Sequence, residues 1–317
     1  MGDIAVIVNP NSGGGRTGKG WAGTEAAITA KLGPVRVLMT KAQGDATALT
    51  AQALREGADH IIAVGGDGTM NEVVNGFFAD DQGTPINPDA LFSFIMKGTG
   101  GDFRKSFGLG LDTDEYLERI ATAPVRRLDI GKLSFVGSDG QPATRYFDNI
   151  ASFGLSGRAS HAVNTATWEK WLGGTFAFTW AVYTSFVMWR NKPVAIRVSD
   201  GDTVVHEGVH ALNTAAVCNG RYFGAGLLPG PDADPFDGLF DITIIHGTNT
   251  LDALTSSGAL KDGTIKSHKR VLAVRGRKVT AQPQNQGDTI RLDVDGETPG
   301  SLPATFEILP GALALKI

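Results

Sequence analysis

The sequence is poor in residues that cross-link or anchor a chain. It has one cysteine, Cys218, among 317 residues. An internal disulfide framework is therefore excluded and a structural zinc site is disfavoured, so Cys218 is best interpreted as a small buried hydrophobe. The N-terminus enters an apolar run without a basic segment before it, which is not typical of a signal peptide. From these absences we expect a cytoplasmic protein.

Positive charge is also scarce, since the formal net charge is −4. This balance gives no general attraction to nucleic acid, and we expect no nucleic-acid partner. Affinity for an anionic surface would need a local patch. Residues 261–278 contain one acid and seven cations, namely Lys261, Lys266, Lys269, Arg270, Arg275, Arg277 and Lys278. Such a patch contributes about 1 kcal/mol per residue near an anionic bilayer. The segment predicts either a membrane contact or a solvated hairpin.

Only one long apolar segment occurs, at residues 171–189, which have no charged side chain. Gly173 and Gly174 weaken a helix at its start. The remainder would span about 22 Å, against about 30 Å of hydrocarbon in a bilayer. The segment therefore favours a buried or groove-lining aromatic helix over a transmembrane span.

Hydrophobic patterning divides the chain near residue 130. Before it, buried-type strands alternate with helices: strands at 3–10, 35–40, 60–64 and 91–96, and helices at about 21–32, 45–57 and 70–78. This order predicts a parallel sheet covered on both faces. Beyond it, short alternating runs predict antiparallel sheet. The predicted domains are a nucleotide-binding α/β domain at 1–130 and a β-rich acceptor domain at 131–305. The C-terminal segment 306–317 is a candidate to complete the first.

The first glycine-rich turn, NPNSGGGRTGKG, resembles a P-loop only in part. Residues 13–19 have Walker A spacing, but Gly20 occupies the position of the magnesium-binding hydroxyl. A P-loop is therefore disfavoured relative to a flexible loop. Asn9 and Ser12 retain side chains able to bond a phosphate.

The turns VGGDGT and KGTGGDF do not complete a dinucleotide fingerprint, because Asn71 and Phe103 occupy the place of its last glycine. VGGDGT does place glycines before a predicted helix, whose N-terminus favours an anion. A carboxylate at Asp67 would repel phosphate unless Mg²⁺ lies between them. The turn therefore predicts a magnesium–nucleotide site, although an aspartate that only caps the helix is an equally good interpretation of this turn alone.

The ordered motifs resemble the diacylglycerol kinase catalytic-domain family, which includes bacterial soluble lipid kinases and sphingosine kinases and is distantly related to NAD kinases. The similarity runs along nearly the whole chain. Its motifs are VNPNSGGG, MTKAQGDA, GGDGTMNEVVNG, KGTGGDF, RRLDIG, FDNIASFGLSG, NGRYFGAGLLPGPDADPFDGLFDI and VDGE. Each motif alone is a weak signal, and the ordered set is specific.

The resemblance implies an NAD-kinase-like α/β N-terminal domain and a β-sandwich C-terminal domain. It also implies an ATP- and Mg²⁺-dependent lipid kinase that transfers the γ-phosphoryl group to a hydroxyl of a diacylglycerol-like or sphingoid lipid. Such an enzyme would associate peripherally with a membrane and meet its lipid substrate at the membrane surface. The resemblance leaves a homodimer open. Two alternatives stay open: a soluble-substrate kinase of NAD-kinase type, and a non-catalytic lipid or nucleotide sensor.

The resemblance also assigns site residues. Catalysis is assigned to Asp295 as general base, with Asp67 and with Glu297 as an orienting or metal-binding group. Nucleotide contacts are assigned to Asn9, Ser12, Thr40, Gly65, Gly66, Asp67, Gly68, Thr69, Asn71 and Thr99. A second, structural magnesium is assigned to Asp234, Asp237 and Leu239. From the residues alone, Asp295-Gly296 is equally typical of a type I′ hairpin turn, and residues 234–239 of a Pro- and Asp-rich turn.

The chain departs from the family at Gly101, where the family has an asparagine. The loop loses one amide side chain and gains flexibility. This departure affects the expected hydrogen bonding around Asp102, which is retained. Asp67, Asp102 and Asp129 are candidates for one water-and-metal network at the domain junction.

Overall fold

The computed structural model describes residues 2–98, 100–165, 188–224, 226–248, 252 and 258–317. Thr99 lies outside the described residues, as does nearly all of the apolar segment 171–189. Among the helices that are described, none is long and apolar enough to span a bilayer.

The first part of the chain forms the predicted alternation of strands and helices. Its strands are β1 Ile4–Val8, β2 Arg36–Met39, β3 His60–Gly65 and β4 Leu91–Met96. Its helices are α1 Arg16–Lys19, α2 Trp21–Leu32, α3 Asp45–Arg55, α4 Asp67–Gly76, α5 Asp102–Lys105 and α6 Thr113–Thr122. Every strand and helix predicted here from hydrophobic periodicity is present.

The second part is mainly strand. It comprises β5 Arg126–Gly137, β6 Pro142–Phe147, β7 Ile150–Gly154, α7 Leu155–Thr165, β8 Lys192–Asp200, β9 Thr203–Cys218, β10 Phe240–His246, β11 Val271–Gly276, β12 Lys278–Pro283, β13 Leu292–Val294 and β14 Gly300–Leu315. All pairings among these strands are antiparallel. Cys218 on β9 is buried, as predicted.

The N-terminal sheet is parallel and has the order β2-β1-β3-β4. The chain returns to it at the end, because Ala314 and Leu315 of β14 pair in parallel with Leu91 and Phe92 of β4. A parallel neighbour far away in sequence buries the edge that β4 would otherwise expose. The last strand of the chain therefore pairs with the N-terminal sheet. This is the contact that a C-terminal segment completing the first domain would make.

Two hydrophobic cores lie under these sheets. One is built from β1, β3 and β4 with their helices, around Ile7, Ile62 and Phe94. The other fills the β-rich part, around Phe153 and Phe306, whose rings stack at 5.7 Å. The predicted fold class, a parallel α/β domain followed by a β-sandwich domain, is confirmed.

Four of the described α-helices were not predicted, namely the single turns α1 and α5 and the longer α6 and α7. In α6, a charged stretch buries Tyr116, Leu117 and Ile120 along one face, and Asp112 caps the helix by accepting a hydrogen bond from Asp114 N–H at 3.1 Å. Helix α7 follows β7 in a region predicted as strands, and it packs against β7 and β13.

Candidate active site

A cleft of about 450 Å³ opens where the parallel strands β1 to β4 end. Ligands bind at the carboxyl ends of such strands because the loops that follow them converge there. Predicted residues supply much of the lining: Asn9, Ser12, Thr40, Gly66, Gly68 and Thr69. The lining also includes Asn11, Gly13, Lys41, Ala42, Gln43, Ala46, Glu72, Gly98 and Glu297.

The glycines of the VGGDGT turn permit a close approach between two loops. A Cβ on Gly98 would stand 2.5 Å from the Cα of Gly66, and one on Gly65 would collide with the Thr69 side chain. Gly66 is extended and precedes α4, so the first backbone N–H groups of that helix lie at the cleft. Asn9 Nδ2 donates to Thr69 Oγ1 at 3.1 Å, which ties the end of β1 to this turn.

Asp67 joins the second glycine-rich turn to the third. Its carboxylate accepts hydrogen bonds from Gly101 N–H at 2.7 Å and Phe103 N–H at 3.4 Å. Burial raises the pKa of Asp67, and the charge of Asp102 raises it further. Gly101 has a φ of 62°, a left-handed conformation that glycine adopts freely and that asparagine tolerates. The bond to Asp67 comes from the backbone, so it is made without the amide side chain that the family has there.

Asp102 lies beside Asp67 and pairs with Lys105 at 2.6 Å. The half-buried Asp67 and the buried Asp102 together form a hard-oxygen donor set, which suits Mg²⁺. Their mutual repulsion would be relieved by a divalent cation. Asp67 and Asp102 therefore fit the magnesium ion implied by the resemblance.

Asp129 is placed elsewhere. Its buried carboxylate accepts from Gly238 N–H and Gly311 N–H, each at 2.7 Å. It therefore anchors the turn at residues 234–239 and the end of the chain. The structure brings Asp67 and Asp102 together, whereas the bonds of Asp129 connect it to that turn.

The turn at 234–239 is closed by hydrogen bonds and an ion pair. Asp237 Oδ1 accepts from Leu239 N–H at 3.0 Å, its Oδ2 pairs with Arg275, and the Asp234 carbonyl accepts from Asp237 N–H at 3.4 Å. Among the described residues, no three His, Cys, Asp or Glu side chains are grouped as metal ligands. Both Asp237 oxygens are thus engaged within the chain, and the second magnesium ion assigned to Asp234, Asp237 and Leu239 stays a prediction.

Asp295 lies in a two-residue hairpin turn with Gly296. Both residues have positive φ, 49° and 89°, as a type I′ turn requires, and Val294 and Glu297 exchange backbone hydrogen bonds across it. The hairpin interpretation therefore describes the backbone correctly. A non-glycine residue in this conformation is uncommon, and such positions cluster at functional sites.

The Asp295 carboxylate is held by two donors. Ile150 N–H donates to Oδ1 and Asn71 Nδ2 donates to Oδ2, each at 2.8 Å. Asn71 belongs to α4, one helical turn beyond Gly68 at the cleft. The predicted nucleotide turn and the predicted base are thus joined through one amide side chain.

Asp148 was not predicted as a site residue. It is 1% exposed and its side chain shares a hydrogen bond with that of Asp295. Burial and the charge of Asp295 raise the pKa of Asp148 well above its usual value, and burial also raises the pKa of Asp295. The pair therefore favours one shared proton. The signal in the sequence that could have identified Asp148 is the aspartate of the motif FDNIASFG.

Glu297 lines the cleft beside this pair. Its two oxygens accept from Gln43 Nε2 at 3.0 and 2.9 Å, and Arg145 lies 3.3 Å away. Arg145 also donates to Asn71 Oδ1, so one cation links both groups. Gln43 and Arg145 were not predicted, since only folding brings them to Glu297.

Lys19 lies apart from the cleft lining. It is exposed, and residues 16–19 form the short helix α1 in place of a phosphate-binding loop. We therefore expect Lys19→Ala to leave ATP affinity within about two-fold of the parent chain, because an exposed charge away from the ligand acts only through screened electrostatics. Isothermal titration with ATP and Mg²⁺ checks this. Loss of nucleotide binding would restore the P-loop hypothesis.

The raised pKa of Asp148 predicts a pH-dependent stability difference. A carboxyl whose pKa is raised by folding stabilises the fold below its unfolded pKa of about 4 and loses that contribution as pH rises through the folded pKa. Asp148→Asn cannot ionise and still donates to Asp295. We expect it to unfold at a higher temperature than the parent at pH 8 and at a similar temperature at pH 4.

Thermal scans across this pH range measure the difference, where 1 kcal/mol corresponds to about 2–4 °C for chains of this size or somewhat smaller. Asp202→Asn is the matched control, because Asp202 is exposed in the turn between β8 and β9. A pH-independent difference for Asp148→Asn would contradict a protonated Asp148.

Comparison with known proteins supports what the fold and cleft define, a two-domain protein of NAD-kinase-like architecture. A model of the diacylglycerol kinase catalytic domain matches residues 3–133, and one of the YegS C-terminal NAD kinase β-sandwich-like domain matches residues 149–317. The chain belongs to the diacylglycerol kinase catalytic-domain family.

Relatives with this name are found in staphylococci. A diacylglycerol kinase of Staphylococcus saprophyticus is 30% identical over 268 residues, covering 84% of this chain and 79% of the relative. One from Staphylococcus aureus strain RF122 is 30% identical over 269 residues, covering 84% and 77%.

Solved structures share the fold. A diacylglycerol kinase from Bacillus anthracis has a TM-score of 0.68 at 21% identity, covering 99% of this chain and 96% of that one. Yeast NADH kinase bound to NADH has a TM-score of 0.51 at 11% identity, covering 99% and 82%. At these identities, the similarity concerns the fold alone.

Proposed function

We propose that the protein is an ATP-dependent lipid kinase that transfers the γ-phosphoryl group to a hydroxyl of a diacylglycerol-like or sphingoid lipid. The observation that carries the proposal is the link from the nucleotide cleft through Asn71 to the Asp295 carboxylate. Asn71 lies one helical turn from Gly68 and donates to the Asp295 carboxylate at 2.8 Å, which supports a base close to the phosphate site. The staphylococcal relatives named diacylglycerol kinase support the same reaction class.

In this proposal the phosphates of ATP lie at the N-terminus of α4, where unpaired N–H groups favour an anion. Asn9 and Ser12 follow β1 on one side of the cleft, and Thr40 follows β2. Asp67 and Asp102 would hold Mg²⁺, which neutralises charge on the phosphates during transfer. Thr99 is also assigned to the nucleotide, although it lies outside the described residues.

Asp295 would accept the proton of the lipid hydroxyl. The hydroxyl oxygen would attack the γ-phosphorus of ATP, and the bond from that phosphorus to ADP would break. The hydrogen bonds from Ile150 and Asn71 favour the ionised carboxylate, against burial that favours the neutral acid. Burial and the charge of Asp295 raise the pKa of Asp148, which favours the neutral acid at Asp148 and the ionised carboxylate at Asp295. Glu297, fixed by Gln43 and Arg145, would keep the hairpin turn against the cleft.

One alternative is a kinase for a soluble nucleotide, which the shared fold alone does not distinguish from a lipid kinase. Incubation with γ-labelled ATP and Mg²⁺ separates the candidates when a lipid extract and NAD are offered in parallel. Label in a lipid product is expected. Label in NAD would favour the soluble-substrate kinase, and ATP binding without label in either acceptor would favour a sensor.

We also propose a cytoplasmic location with peripheral membrane association; a homodimer stays open. The basic segment 261–278 gives this association limited support, because six of its seven cations pair with carboxylates within the chain, namely Lys266, Lys269, Arg270, Arg275, Arg277 and Lys278. Paired charges attract an anionic surface less strongly. Vesicle binding that responds neither to acidic lipid nor to salt would remove the segment as a membrane contact.

A further inference from the structure

Three of the six histidines of the chain lie together at one end of the β-sandwich, where β9 and β10 separate. His206 and His210 belong to β9, and their Nε2 atoms are 2.8 Å apart. The ring of His246, at the end of β10, lies 5.1 Å from that of His210 between centroids. His206 and His210 face the same side of the sheet as their partners on β8, the buried Val198 and Val194.

Gly208 makes room for this cluster. A Cβ at this position would lie 3.4 Å from His210 Nε2 and 3.5 Å from His206 Nε2, so any longer side chain would enter the space between the rings. A glycine inside a strand weakens the strand, and it often marks a place where a ligand approaches closely. Here the three heavy atoms nearest to that position all belong to imidazole rings, and two of them are nitrogens.

The imidazoles of His210 and His246 are suited to donating a lone pair from the neutral form. Burial lowers the pKa of His210, and His246 and His206 lower it further. Burial also lowers the pKa of His246, with a contribution from Arg270, whose Nε donates to Asp252 at 3.3 Å. Neutral imidazole is the form that binds metals.

We propose that His206, His210 and His246 bind one borderline divalent transition metal ion, with Zn²⁺ as the probe. In the structure, one Nε2–H donates to the other Nε2 lone pair. Metal binding would release that proton to solvent, and both Nε2 lone pairs would bond the ion. Two nitrogens on a tetrahedral Zn²⁺ stand about 3.3 Å apart, so the rings must separate by about half an ångström.

No three such ligands are already grouped as a metal site among the described residues, and this adjustment forms part of the proposal. Imidazole selects transition metals over Mg²⁺, which prefers oxygen. The site is therefore chemically separate from the carboxylates at Asp67 and Asp102. It would join β9 residues 203–211, which pair with β8, to the end of β10.

Zinc titration by calorimetry on chain without a polyhistidine tag tests the proposal. One saturable site is expected, together with a rise in the thermal midpoint. His210→Gln should weaken Zn²⁺ binding by at least about ten-fold, because a ligand is lost. Gly208→Val keeps every imidazole and suits a strand, and it should weaken binding as well. His161→Gln, outside the cluster, is the matched control and should bind as the parent does.

Absence of saturable binding to the folded parent would overturn the proposal. So would parent-like affinity in both His210→Gln and Gly208→Val. A site that disappears in Asp67→Asn and persists in His210→Gln would show that zinc occupies the carboxylates of the cleft.

Discussion

Asp295→Asn is expected to lower kcat by about 10²- to 10⁴-fold, the range for loss of a general base. The side chain keeps its size and can still accept from Ile150 N–H, although its new amide group would face Asn71 Nδ2 or Asp148. ATP affinity should stay within a few-fold of the parent, because the base acts on the lipid hydroxyl. Steady-state kinetics of the folded variant, with a parallel thermal scan, measures both effects.

Asp293→Asn is the matched control for this experiment. Asp293 lies on β13, just before the turn, and its buried carboxylate accepts from Gly296 N–H at 2.9 Å, Ser160 Oγ at 3.0 Å and Ser152 Oγ at 3.4 Å, away from Asn71. Burial raises the pKa of Asp293 to about 7, although these hydrogen bonds act to lower it. We expect Asp293→Asn to change stability more than kcat. A lowered thermal midpoint with normal kcat in Asp295→Asn would show that Asp295 stabilises the hairpin and does not act as the base.

Asp67→Asn should reduce magnesium-dependent phosphoryl transfer by about 10²-fold or more, since charge stabilisation by a bound metal supplies several kcal/mol. The amide keeps the volume of the carboxylate and loses the charge beside Asp102. It can accept only one of the two backbone hydrogen bonds, from Gly101 or from Phe103. The variant should also need more Mg²⁺ for half-maximal activity, which a magnesium titration at saturating ATP detects.

Asp112→Asn is the control here. Asp112 caps α6 through Asp114 N–H, outside the cleft lining, and asparagine caps equally well. Its activity and magnesium dependence should match the parent. If Asp67→Asn turned over normally while Lys19→Ala lost nucleotide binding, the metal would have to be held elsewhere, and Asp67 would serve only to join its turn to the loop before α5.

Much of the N-terminal domain could be predicted because its signals are local. Strands β1 and β3 are continuous apolar runs, and α3 repeats apolar residues at helical spacing, so each element is encoded within a dozen residues. The glycines at 65, 66 and 68 likewise mark a turn after a strand. Helix α7 could not be predicted in this way, because its neighbours β7 and β13 are joined only in the folded chain.

The sequence by itself determined the fold class, the family, the cleft-lining residues around Gly66 and the candidate base Asp295, since each depends on short motifs in a fixed order. Only the tertiary structure decided that Asp148 lies against Asp295 with a raised pKa, that Asn71 joins this pair to α4, and that Asp129 belongs to the turn at 234–239. The physical reason is distance along the chain. Hydrogen bonds and carboxylate coupling act over a few ångströms, and 147 positions separate residues 148 and 295 in sequence.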